Sequence, residues 1–88
     1  MRAEYRKKFL KELASLPAWV RGEVEVFAFE EILQLNSVTQ SGKIEKLKGY
    51  TNYYRVRFGS YRVGLHLEGE MVVFERVLHR KEIYRFFP

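Results

Sequence analysis

The sequence contains no cysteine, which removes disulfides and thiolate metal ligands and suits a reducing compartment. Histidine is scarce: only His66 and His79 occur. Two histidines without a cysteine are few ligands, so metal chemistry has little to draw on. No stretch approaches the roughly 20 apolar residues needed to span a bilayer. The opening Met1-Arg2-Ala3-Glu4-Tyr5-Arg6 leads into charge rather than the apolar centre of a signal peptide. Glycines form no phosphate-cradling loop, and no serine is visible as a nucleophile beside a base. The expectation is a cytoplasmic protein with no metal, no cofactor and no membrane partner.

What is present fits one domain spanning residues 1–88. Hydrophobic residues make up 47% and aromatics 16%, enough for a core and against disorder. The net charge of +5 is unevenly placed. Residues 1–42 hold six basic and six acidic residues, whereas residues 43–88 hold ten basic and five acidic. A basic surface on one part of a domain attracts polyanions, nucleic acid above all. An excess of this size also simply aids solubility, and charge alone leaves both readings open.

The two halves differ in period. Phe9, Leu10, Leu13 and Leu16 recur at helical spacing until Pro17 stops them. A second helix is predicted from Ala18 to Leu35, with Val20, Val24, Phe27, Ala28, Ile32 and Leu35 as its buried stripe. Val26, Phe29 and Leu33 fall on its opposite side. Either the first helix covers them, as in a helical hairpin, or they form a groove for a partner. Residues 36–52 read as a basic loop carrying Lys43, Lys46 and Lys48. From Tyr53 the period becomes two. Tyr54, Val56 and Phe58 alternate with Arg55 and Arg57, and Gly59-Ser60 makes a tight turn. Tyr61, Val63, Leu65 and Leu67 then alternate with Arg62, Gly64 and His66. A further turn at Glu68-Gly69-Glu70 leads to a near-continuous apolar strand, Met71 to Leu78. The three strands predict an antiparallel meander whose outer strand carries the charges Glu75 and Arg76, as an exposed edge should. His79 to Pro88 is predicted to make one short helical turn, and Tyr5 and its neighbours to add a short first strand.

Chemistry, if present, is cationic and aromatic. Arg55 and Arg57 share a strand face, and Arg62 joins them if the hairpin register permits, since adjacent strands bring such residues within about 5–8 Å. Arg80 leaves the third strand beside Lys81 and near Tyr84. A guanidinium presents a planar fork of donors matched to phosphate oxygens. The competing reading is a solvated face on which these arginines pair with Glu45, Glu75 or Glu82.

Three blocks shift that balance. Lys46-Leu47-Lys48-Gly49, then Tyr54-Arg55-Val56-Arg57-Phe58-Gly59-Ser60-Tyr61-Arg62-Val63, then Val77-Leu78-His79-Arg80-Lys81-Glu82-Ile83-Tyr84 resemble, in that order, the RelE/ParE superfamily of toxins. The resemblance covers nearly the whole chain. It implies an α+β fold, two N-terminal helices packed on a small twisted antiparallel sheet with a short C-terminal helical tail. It also implies a co-expressed antitoxin that wraps the toxin and mediates any contact with operator DNA. RelE-type members cleave mRNA in the ribosome, leaving a 2′,3′-cyclic phosphate. ParE-type members instead inhibit DNA gyrase without catalysis, and an inactive member would only bind its antitoxin.

On this resemblance Arg55, Arg57, Arg62, Arg80 and Tyr84 are the candidate catalytic set, and Lys46, Lys48 and Lys81 the RNA-binding lysines. In-line attack needs a base for the 2′-hydroxyl and positive charge on the phosphorane. Tyr84 is the candidate base, because neighbouring arginines favour a phenolate; its alternative role is packing the tail beside Ile83 and Phe86. His79 is the rival base, since imidazole titrates closer to neutral pH. Tyr53 can stack a base, whereas Tyr54 and Tyr61 have the phase of core residues. The resemblance departs at Gly64-Leu65-His66, where bulkier residues are usual. A glycine there weakens the strand but admits a close approach by a ligand or backbone.

Overall fold

A computed structural model describes residues 1–88. Strand β1 (Arg2–Tyr5) leads into α1 (Lys7–Ala14), then α2 (Ala18–Val26). The second helix continues through a π-helical stretch, Phe27–Glu31, into a last α-helical turn, α3 (Ile32–Gln34). A short 3-10 turn (Val38–Gln40) precedes β2 (Ile44–Lys46). Strands β3 (Tyr53–Phe58), β4 (Tyr61–Glu68) and β5 (Met71–His79) form the predicted meander, and α4 (Ile83–Phe86) closes the chain. The fold is α+β.

The sheet is mixed rather than antiparallel. Its order is β1-β5-β4-β3-β2, and β1 pairs parallel to β5, Arg2 opposite Met71 through Tyr5 opposite Phe74. The charged strand β5 is therefore interior and not an outer edge. Its apolar run explains this: Val72, Val73 and Phe74 are all buried, which is how a strand covered on both faces reads. The segment expected to be a loop at 36–52 contains β2, an edge strand three residues long and partly charged, as befits an edge.

One face of the sheet carries the main core. Val56, Phe58, Val63, Leu65, Val72, Phe74 and Val77 meet Phe9 and Leu13 of α1 and Val20, Val24, Phe27, Ala28 and Ile32 of the second helix. Phe9 stacks obliquely on Phe74 at 5.2 Å. Helix α1 lies on β5 and leaves Val26, Phe29 and Leu33 uncovered, 39–46% exposed, so the helical-hairpin expectation fails. A carboxylate fixes α1 in that place. Beyond Phe74, β5 has lost its β1 partner, and Glu12 fills the gap by accepting from the Val77 N–H at 3.2 Å. The same carboxylate accepts from Arg76 Nε and Nη2 at 3.0 and 2.6 Å. That bond raises the Arg76 guanidinium above its ordinary range.

Candidate functional site

The opposite face of the sheet holds the charged residues. Gly59, with φ +59°, makes the turn between β3 and β4, and the resulting register sets Arg57 directly opposite Arg62 and Arg55 opposite Gly64. All three arginines thus share the face turned away from Val56 and Val63. The condition on the hairpin register is met. Arg62 Nη1 donates back to the carbonyls of Gly59 at 2.8 Å and Tyr61 at 2.9 Å. Burial, and then the charge of Arg57, hold the Arg62 guanidinium below its usual range; Arg55 and Arg80 add to this and Tyr84 opposes it. Arg55, Arg57, Arg80 and Tyr84 therefore each lie within electrostatic reach of Arg62. The Arg80 backbone N–H donates to Ser60 at 2.7 Å, placing the end of β5 beside the hairpin turn.

Tyr84 is half exposed on α4. Its hydroxyl oxygen accepts a hydrogen bond from Arg55 Nη1, and the guanidinium carbon lies 5.9 Å from its ring centroid. A single helical turn cannot hold itself in water, so packing must place it. Ile83 and Phe87 are buried with Leu47 in a second, smaller cluster on this face, against Tyr53 and Leu78. Gly64 is the seat. A Cβ there would meet the Phe87 ring at 2.7 Å. The close approach that glycine permits in β4 is thus made by the chain's own tail, and Tyr84 rides on the anchored segment.

Glu45 enters this site from β2, paired opposite Arg55. Its Oε1 lies 3.7 Å from Arg55 Nε and 3.4 Å from Arg57 Nε. Neither contact closes as a short hydrogen bond, and Arg55 Nε remains a buried donor without a partner. Of the other pairings considered, Glu82 takes Arg85 and Glu75 takes Arg6.

The remaining candidates lie elsewhere. Lys46 and Lys48 line a cleft at the β2–β3 connection with Gly49, Tyr50 and Thr51. Lys81 is exposed, and its backbone N–H donates to His79 Nδ1 at 3.2 Å. The His79 ring meets Tyr61 edge-on at 5.4 Å and lines a cleft with Lys11, Ser15 and Leu16, on the helical face of the sheet. It is thus separated from Arg55 and Tyr84 by the sheet itself. His66 stacks on Tyr53 at 4.4 Å. Sequence reasoning treated Glu45 only as an alternative ion-pair partner and did not connect Phe87 with Gly64. The signal for the second was present, an interior strand glycine and a tail that carries two adjacent phenylalanines, Phe86 and Phe87. No three or more of His, Cys, Asp and Glu gather as a metal cage, and no helix is long and apolar enough to cross a membrane.

An α+β sheet with an arginine-rich face and a tyrosine-bearing tail agrees with the three sequence blocks. The chain belongs to the RelE/ParE superfamily: the family described as the ParE toxin of type II toxin–antitoxin systems matches residues 3–84. It is the toxin component of such a system. Toxin RelE3 of Methanocaldococcus jannaschii is 42% identical over 89 residues, covering all of both chains. The crystal structure of the RelB–RelE antitoxin–toxin complex from Methanococcus jannaschii matches with a TM-score of 0.81 and 41% identity, over 97% of this chain and 99% of that one. The archaeal RelE–RelB complex from Pyrococcus horikoshii OT3 matches with a TM-score of 0.68 and 25% identity, over 93% and 97%.

Proposed function

We propose that this toxin is an endoribonuclease that cuts mRNA on the ribosome in the cytoplasm and so stops translation. The observation carrying this reading is the hydrogen bond from Arg55 to the Tyr84 hydroxyl, a pair that acts with Arg57 and Arg80 on the charge of Arg62. In the reaction the 2′-oxygen attacks the adjacent phosphorus, the bond from phosphorus to the 5′-oxygen breaks, and a 2′,3′-cyclic phosphate remains. Tyr84 gives its own proton to solvent and takes the 2′-hydroxyl proton in its place, and the Arg55 guanidinium on its oxygen stabilises the phenolate between the two transfers. Arg55, Arg57 and Arg62, which share one sheet face, supply positive charge to the phosphorane as its negative charge grows. Arg62 hydrogen-bonds the leaving 5′-oxygen, which ends protonated at the expense of solvent. Lys46, Lys48 and Lys81 bind flanking phosphates. His79, across the sheet, has no part in this scheme.

Two similar structures are complexes of a RelE toxin with a RelB antitoxin. By the same logic a cognate antitoxin covers Val26, Phe29 and Leu33, and operator DNA is reached through it. The test is mRNA cleavage in a reconstituted translation reaction, with primer extension to map the cuts and free mRNA as control. Cuts that require ribosomes are the expected result. Undamaged mRNA with translation unimpaired would overturn the reading and leave gyrase inhibition to be measured.

A further inference from the structure

Tyr50 does little to hold the fold. Its ring is 53% exposed, and its one aromatic contact is Tyr53, met edge-on at 6.2 Å with the planes at 73°. It follows Gly49, whose φ of +82° turns the chain there. Leu47 is drawn inward onto Ile83 and Phe87, so Lys46 and Lys48 on either side stay on the surface and share a cleft with Tyr50. Tyr53 itself is fixed, stacked on His66 and edge-on to Phe87 at 5.6 Å. It also occupies β3 two residues before Arg55, one face-sharing step of about 6.6 Å. An exposed aromatic ring sharing a cleft with two lysines therefore stands next to Tyr53, which is itself one such step from Arg55, the partner of Tyr84.

We infer that Tyr50, with Lys46 and Lys48, forms a nucleobase-stacking subsite for single-stranded RNA. The ring takes the base of a nucleotide flanking the cut, and the lysines take its phosphates. An aromatic face flanked by cations suits this ligand because every base presents a π-surface and every linkage a charge. The subsite contributes binding and leaves the chemistry to Tyr84. It rests on the RNA-cleaving reading, and the test separates the two.

Binding is measured by fluorescence anisotropy with a labelled ten-nucleotide RNA whose 2′-hydroxyls are methylated, so that it cannot be cut. Tyr50→Ala is expected to weaken binding by about tenfold, the size of one lost base–aromatic stack. Tyr50→Phe and Tyr50→Trp should keep wild-type affinity, and thermal melts of all three should match the wild type. In the ribosomal cleavage reaction Tyr50→Ala should raise KM and leave kcat unchanged. Wild-type binding by Tyr50→Ala, or a loss in Tyr50→Phe equal to that in Tyr50→Ala, would overturn the stacking subsite. Tyr50-dependent binding by a protein that cuts nothing would keep the subsite and overturn the nuclease reading.

Discussion

On one face of the sheet Val56, Val63, Leu65 and Phe74 are sealed beneath α1 and the second helix, and no polar or charged side chain is buried. On the other face Arg57 stands directly opposite Arg62, with Arg55 alongside. Like charges set opposite each other on neighbouring strands destabilise a sheet, and only Glu45 among the carboxylates offsets them. The contrast divides labour. The helical face supplies the stability, which allows the far face to hold an arrangement that folding alone would not favour. Its covering, one helical turn anchored by Ile83 and Phe87, is thin for the same reason: a full layer there would close the arginines off.

The largest effect should come from the sealed face. Phe74 touches Tyr5, Phe9 and Phe27, and Phe74→Ala is expected to cost about 3–5 kcal/mol in urea unfolding, enough to leave much of the protein unfolded. A cost below 1 kcal/mol would mean that the two faces do not divide stability as described.

Gly64→Ala probes the thin cover. The new methyl group would collide with the Phe87 ring, and the expected cost is about 1–3 kcal/mol. Cleavage should fall much further, by about 100-fold, as follows from an ångström of misplacement at a reacting group. A variant losing stability and activity in equal proportion would show that the tail does not position Tyr84.

The smallest effect belongs to the join between β1 and the second helix. The Tyr5 hydroxyl donates to the Ala28 carbonyl at 2.5 Å, within the π-helical stretch. Tyr5→Phe should cost about 0.5–1.5 kcal/mol. Burial raises the Tyr5 pKa above 10.0. The folded protein therefore resists an ionisation that the unfolded chain accepts. Its contribution is fully present below the unfolded value and declines as pH rises through the folded one. Denaturation followed from pH 8 to pH 11 should show this alkaline decline in the wild type and a shallower one in Tyr5→Phe.

What was legible in the sequence follows the same line. The β3–β4 hairpin and its arginine face could be read because strand alternation and a tight turn are local. The parallel pairing of β1 with β5 could not, since nothing in Arg2–Tyr5 names a partner some seventy residues on. Strand β2 is too short for a period. The apolar run of β5 carried the signature of an interior strand, yet Glu75 and Arg76 suggested an edge; Glu12 resolves this by capping the stretch that β1 leaves open. The placement of His79 was legible in principle, because a strand residue two beyond the buried Val77 shares its face. The seat of Phe87 on Gly64 and the insertion of Glu45 between two arginines depend on tertiary register, which no local pattern encodes.

Tyr84→Phe tests the central claim most directly, because it removes the proposed proton-transfer group with almost no change in volume at a half-exposed position. Cleavage in the reconstituted translation reaction should fall by about 100- to 10,000-fold, while the melting temperature and antitoxin affinity stay at wild-type values. Wild-type cleavage by Tyr84→Phe would contradict the account and detach the far face of the sheet from the chemistry.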